Sequence, residues 1–354
     1  MKFRIKLSFS CRSIDQYFLN QEKVAAYTPK AGDVGIFRIK EANCKTIIDK
    51  NGIPCYIFDD DLFMCAFGNR YATNQVEGYV PNTPVTDCQL MGRGGVVGMI
   101  KSINTRMKTE PTELELIAYA VDDQDQVLNT IDTGSVLSFN PNQIKSKIIL
   151  SIGSTMDSGK TTTAAYLSAG LSREGHTTAY IKLTGTAYPK DVRRVYDRGA
   201  DYAIDFTLLG YPSTFNCELE QLLDIYQTLV EHVQEAVEPD YIVIEIADGI
   251  LQRETAMLLG EDRFMQTVQD VVLSCGDSLS VFSALRLMER YGIKPFAVSG
   301  LFTASELLIS EVADLIPIPI MRLDDLLYSA VEYLEGGKPK SSPNPKPVGV
   351  LAQF

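Results

Sequence analysis

Between Gly153 and Thr162 the chain reads GSTMDSGKTT: a glycine, five spacer residues, then Gly159-Lys160-Thr161, the G-x-x-x-x-G-K-[ST] type of loop with one extra spacer residue. Residues of these types at this spacing make a phosphate cradle. Glycines at 153 and 159 let the backbone wrap an anion without side-chain clashes, and the amides of Ser154, Thr155, Met156, Asp157 and Ser158 turn inward. A helix starting at Gly159–Lys160 adds the positive end of its dipole. Lys160 would reach the β- and γ-phosphates, the Thr161 hydroxyl would ligate Mg²⁺, and Thr162 would complete the nucleotide contacts. Asp157 either meets substrate or a reacting water, or caps the loop by accepting from local amides.

Other charged residues stand where strands end. In DYIVIEIADG (240–249) an apolar run closes on Glu245, with Asp248 three residues on. A buried strand that delivers a carboxylate to the mouth of a sheet can hold a metal or position a water. Glu245 is the stronger metal candidate, and Asp248 the second, since Ala-Asp-Gly also makes a good turn. In YIKLTGT (180–186) Lys182 closes another apolar run. It either binds a substrate carboxylate or phosphoryl group, or extends into solvent. Asp277 in SCGDSL (274–279) either recognises a base or, the simpler reading, caps the helix that follows. GLFTAS (300–305) is a further crevice loop, suited to part of a base or substrate pocket.

Composition excludes several alternatives. Only His176 and His232 are present, which removes a histidine metal centre and a Ser-His-Asp triad. Cysteines 11, 44, 55, 65, 88, 217 and 275 are odd in number and form no C-x-x-C pair, so neither zinc nor a disulfide framework is implied. Reduced thiols point to a cytoplasmic chain. A net charge of -12 without a basic run argues against a nucleic-acid partner. The start, MKFRIKLSFS, lacks the apolar core of a leader. No stretch reaches the roughly 20 apolar residues of a membrane span.

The elements that must position these groups follow from rhythm. Residues 1–147 alternate short apolar runs (DVGIFRI, IPCYIF, LFMCAF, QVEGYV, GGVVGMI, ELELIAYAV, SVLSF) with turn-forming PKAG, DKNG, VPNTP and DDQDQ. This predicts a β-rich domain, a small barrel or sandwich. Residues 139–147 read as a linker. From 148 to 335, strands are expected at 148–152, 178–183, 241–246, 269–274, 295–299 and 316–320. Helices are expected at 160–174, 190–200, 218–237, 278–292, 304–313 and 324–335. That alternation predicts an α/β fold, a mostly parallel sheet with helices on both faces. Residues 336–354, rich in Gly, Pro, Ser and Lys, read as a flexible tail. The glycine-rich, apolar 91–100 either packs against a second copy, making a homo-oligomer, or is an internal strand pair.

On these motifs, 148–335 resembles the P-loop NTPase branch that holds dethiobiotin synthetase and the MobB-like GTP-binding adaptor of molybdopterin-guanine dinucleotide synthesis. GSTMDSGKTT is similar to the dethiobiotin synthetase loop, YIKLTG to its lysine-bearing strand, and VIEIADG to its metal-binding V-E-G-A-G. The resemblance implies that Lys160 and Thr161 bind phosphate and Mg²⁺, that Lys182 activates or binds substrate, and that Glu245 ligates Mg²⁺. Two departures stand out. ADG replaces GAGG, and the signature lysine of the partitioning ATPases is absent, with Ser154, Thr155 and Met156 in its place. The β-rich part has no counterpart in dethiobiotin synthetase.

The leading expectation is Mg-dependent binding and cleavage of a nucleoside triphosphate, ATP before GTP, or phosphoryl transfer to a small substrate such as a carboxylate. Lys160, Lys182 and Asp157 are its catalytic candidates. The alternative is a nucleotide-driven switch or adaptor that acts on a protein through the β-rich part.

Overall fold

The computed structural model describes residues 4–131 and 136–334; the expected tail at 336–354 lies outside them. In the first part, period-two patterning sets the strands. Along Thr112–Val121, Thr112, Leu114 and Leu116 face inward while Glu113 and Glu115 face outward. Strands Leu62–Phe67, Val34–Glu41, Thr112–Val121, Asp87–Gly92 and Val96–Ile103 pair in that order. Val96–Ile103 then pairs in parallel with Leu62–Phe67, so the ring closes as a barrel. Closure removes the exposed edges that an open sheet would leave. Phe37, Phe63, Phe67, Leu114, Leu116 and Tyr119 fill its interior.

One alternative is decided here and one expectation corrected. Segment 91–100 takes the second of its two readings, an internal strand pair: Met91, Gly92, Gly94, Gly95, Val96, Val97 and Gly98 are buried, which withdraws them from contact with a second copy. Of SVLSF, residues 136–139 form no strand, and Ser135 lies outside the described residues.

The second part is a six-stranded sheet, wholly parallel, with helices on both faces. In spatial order its strands are Tyr202–Asp205, Thr178–Lys182, Tyr241–Glu245, Lys147–Gly153, Val268–Ser274 and Ala297–Ser299. The central strand shows why apolar runs replace alternation here. Ile148, Leu150 and Ile152 pack toward helix Leu219–Val237, while Ile149 faces helix Lys160–Arg173. This is an α/β fold, with the strand that leads into the glycine-bearing loop in the middle of the sheet and the Glu245 strand beside it.

Sequence rhythm misread some edges. Tyr202–Asp205 was not expected, because only four residues separate Asp201 from Phe206. The expected strand 316–320 reduces to one bridge, Ile320 to Val298, since Pro317 and Pro319 cannot donate to a ladder. The helix expected at 304–313 divides into a 3₁₀ turn, Leu301–Ala304, and a helix, Glu306–Val312. Residues 139–147 are no loose linker. Phe139, Asn140 and Lys145 donate backbone hydrogen bonds to Asp224, Gln227 and Gln234 of the long helix, at 2.8, 3.1 and 2.7 Å.

The barrel rests on the α/β part around the loop mouth. Arg12 donates to the Thr207 carbonyl at 2.7 Å and stacks on Phe9. Tyr71 and Tyr79 pack against Phe215 at 5.4 and 5.8 Å between ring centres. Gly94 passes so close to Ala187 that a Cβ there would stand 1.9 Å from its carbonyl oxygen.

Candidate nucleotide site

The loop leaves its buried strand at Gly153 and enters helix Lys160–Arg173 at Gly159. Both glycines are required. A Cβ at 153 would lie 2.2 Å from the Ser158 hydroxyl, and Gly159 has φ +104, a left-handed conformation. Asp157 also takes positive φ, at 60°. The Ser158 hydroxyl is shut off from solvent without a hydrogen-bond partner. Lys160 is buried, and its Nζ turns back to the Thr155 carbonyl at 2.9 Å and to the Asp248 carbonyl. Burial lowers the Lys160 pKa, against the pull of Glu245 and Asp248. The ammonium thus bridges carbonyls on the two sides of the loop mouth.

Glu245 ends the neighbouring strand and is 2% exposed. Thr161 Oγ1 donates to its Oε1 at 3.1 Å, and the Tyr180 hydroxyl donates to its Oε2 at 2.8 Å. Lys182, in register with Glu245 across the sheet, has Nζ 3.6 Å from Oε1 and closes onto Asp191. The lysine therefore does not reach for solvent. Burial alone would lower its pKa, but Glu245 and Asp191 outweigh burial and raise it. Asp191 moves the other way: burial raises its pKa, yet Lys182 holds it below the usual carboxylate value.

Asp248 sits past the strand end in a left-handed turn with φ 61. Gly249 follows it against the loop, where a Cβ would lie 2.6 Å from the Ser154 carbonyl oxygen. Burial raises the Asp248 pKa to about 6, with Lys160, Lys182 and Arg70 opposing the shift.

These groups line one cavity of about 560 Å³ between the barrel and the α/β part. It brings together Asp157, Lys160, Thr161, Lys182, Glu245 and Asp248 from the α/β side with Arg70 and Gln75 from the barrel. A second cavity of about 330 Å³ continues past Gly159 and Thr162. It is lined by Tyr166, Leu301, Thr303, Arg322, Leu323 and Asp324, which include part of the expected 300–305 crevice loop. Asp277 lines neither cavity; it caps helix Ser278–Arg290 by accepting from the Ser280 amide at 2.7 Å.

The donor set suits Mg²⁺. Thr161 Oγ1 and the Glu245 carboxylate are hard oxygen ligands already side by side, and Asp248 lines the same cavity. Among the described residues no group of three or more His, Cys, Asp or Glu makes a metal site unaided. That matches a cation held by one or two protein oxygens and completed by phosphate and water.

Several residues here were not singled out by any motif. Arg70, Asn74 and Asp191 come from three different elements or loops, Tyr180 opens YIKLTGT without drawing notice, and no spacing in the chain links them to 153–162. Asn74, from the barrel, donates to Asp157 in the loop at 2.8 Å. The lysine at a strand end that YIKLTGT advertises was the one signal pointing toward Asp191, its eventual partner.

No family model matches the chain, and no curated protein matches it. Solved structures are similar to part of the chain. The signal recognition particle receptor FtsY from Elizabethkingia anophelis, in complex with GDP, is 16% identical over 54% of this chain and 63% of that one, with a TM-score of 0.37. Chloroplast FtsY from Physcomitrella patens is 15% identical over 58% and 68%, with a TM-score of 0.38. A DUF1611 family protein from Anabaena variabilis is 12% identical over 61% and 66%, with a TM-score of 0.41. Likeness at this level carries no argument about this chain.

Proposed function

We propose that the chain binds a nucleoside triphosphate with Mg²⁺ and cleaves its γ-phosphoryl group or transfers it to a small acceptor. The observation that carries this reading is the convergence of Lys160, Thr161 and Glu245 at the mouth of a parallel sheet, with Thr161 and Glu245 in contact. Phosphates lie along 153–162, the base occupies the smaller cavity, and the acceptor takes the part of the larger cavity beyond Lys182. Thr161 and Glu245 hold Mg²⁺, with Asp248 as a further oxygen, and the ion supplies charge neutralisation between phosphate oxygens. Lys182 orients Glu245 and presents positive charge to the acceptor side. ATP is the proposed nucleotide, and the acceptor a carboxylate, in the manner of dethiobiotin synthetase. The barrel at 1–147 and the NTPase domain at 148–335 act as the two walls of this site.

One observation favours the switch reading: Asn74 of the barrel touches Asp157 of the loop, so the barrel senses loop geometry directly. Turnover separates the two readings, because a switch hydrolyses slowly whatever acceptor is present. A homo-oligomer is proposed with either function and is read by light scattering against 39.2 kDa.

The test of nucleotide binding is thermal. At 100 times Kd, Mg-ATP or Mg-GTP stabilises the native state by about 2.7 kcal/mol. Lys160→Ala should fold and lose most of that shift. Equal shifts in wild type and variant would remove the assignment.

A further inference from the structure

The cavity that holds the phosphate loop is walled on one side by the barrel, and that wall carries a cation with no role so far. Arg70 lies in strand Arg70–Tyr71, paired with Val76–Tyr79 in a hairpin that leans over the loop. Its Nη2 is held by the Gln75 side-chain oxygen. Its Nε is shut off from solvent and makes no hydrogen bond. A buried donor left unpaired costs about 1–3 kcal/mol, so it calls for an explanation. Among the described residues Arg70 has no ion-pair partner, and Asp248 acts on it only through space. Burial lowers its pKa to about 10, which leaves it charged at neutral pH.

Other cations on the cavity are committed or peripheral. Lys182 is bound to Asp191 and Glu245. Arg93 and Arg194 are exposed and donate to Thr46 and Thr162, and Lys190 is exposed. Within the loop itself, the five residues between Gly153 and Gly159 are Ser, Thr, Met, Asp and Ser, with no positive charge. Lys160 is therefore the loop's own cation, and the Asp248 end of the cradle depends on the barrel for another.

The geometry points to Arg70 as a catalytic residue supplied in cis: we propose that its guanidinium contacts the γ-phosphoryl oxygens during transfer. This rests on the nucleotide reading above and extends it to the barrel. In hydrolysis, a water oxygen attacks the γ-phosphorus and the bond from that phosphorus to the bridging oxygen breaks. The electron pair stays on the β-phosphate, and the proton of the water passes to solvent. Nucleoside diphosphate and inorganic phosphate result. Charge spreads over the γ-oxygens in the transition state, and a planar, two-pronged donor stabilises it there. The hairpin is built to hold such a donor still. Tyr71 and Tyr79 pack on Phe215, and the adjacent Thr214 bonds both backbone groups of Gly185, in the Lys182 turn.

The test uses the full chain and a fluorescent ADP with Mg²⁺, with and without aluminium fluoride, which mimics the transferring phosphoryl group. In wild type, aluminium fluoride tightens binding. Arg70→Gln should bind Mg-ADP within a few-fold of wild type, lose the tightening, and hydrolyse ATP slower by a factor on the order of 100 to 1000. Arg70→Lys keeps the charge without the fork and serves as a second variant should the glutamine disturb the barrel; it should fall between the two. Retained tightening and turnover in Arg70→Gln would overturn the proposal, as would a uniform loss of Mg-ADP affinity with tightening intact. Failure of wild type to bind Mg-ADP at all would instead remove the nucleotide reading, and this proposal with it.

Discussion

Replacing Lys182 by methionine keeps the length of the side chain and removes the charge. In the structure that charge lies between two carboxylates: in contact with Asp191, and 3.6 Å from Glu245 Oε1. The lysine side chain is 13% exposed and Glu245 2%, so neither is compensated by bulk water. Removing one member of a buried pair costs about 3–5 kcal/mol, because the remaining charge stays desolvated. Asp191 is 25% exposed and recovers some hydration, which places the expected loss near the lower end, about 3 kcal/mol. For a unit the size of the α/β part this lowers the melting temperature by about 6–12 °C. The assay is thermal unfolding at neutral pH without nucleotide, extended to a double-mutant cycle with Asp191→Asn. Asparagine should cost stability beside Lys182 and restore some in Lys182→Met, a coupling of about 0.5–3 kcal/mol. A melt for Lys182→Met within about 2 °C of wild type, or strictly additive effects in the cycle, would refute the buried-pair argument.

Two further outcomes test the frame around the site. Gly94→Ala places a methyl group against the Ala187 carbonyl, where a Cβ has 1.9 Å; overpacking of this kind costs about 1–3 kcal/mol, and the variant should melt lower and lose part of the Arg70-dependent turnover, whereas wild-type behaviour in both would show that the barrel is free to move away. Asp205 has its pKa raised by burial, with Thr207 and Arg12 opposing. A carboxyl whose folded pKa lies above its unfolded value takes up a proton on folding, so its contribution is greatest below the unfolded value and falls as pH rises through the window up to the folded value. Urea unfolding of Asp205→Asn across that window should therefore decline less with pH than wild type; parallel curves would contradict the direction.

The strand–loop–helix path at 153–162 was legible in the sequence because its backbone demands are local. Spacing within 153–161 determines a backbone path, and an apolar strand before it with a helix after it determines where that path sits. Glu245 and Lys182 were legible as charges closing buried strands, a conflict that single-chain patterning exposes on its face. The α/β class followed from alternating strands and helices of ordinary length. Less of the rest could be read. Tyr202–Asp205 is too short to show a period, and Pro317 and Pro319 interrupt an apolar run that otherwise imitates a strand.

Glycines and apolar residues at 91–100 suit an external contact and an internal hairpin equally, and closure of the barrel decided for the hairpin. Asp191, Tyr180, Arg70 and Asn74 came to the site only through tertiary structure. Lys182 and Asp191 stand 9 residues apart, Tyr180 and Glu245 65, and Asn74 and Asp157 83. Sequence patterns record which face of an element is apolar and how a loop turns. They carry nothing about which polar side chains two surfaces distant in the chain will oppose. That is set by how the elements of the sheet pack, for Tyr180 and Asp191, and by how the barrel meets them, for Arg70 and Asn74.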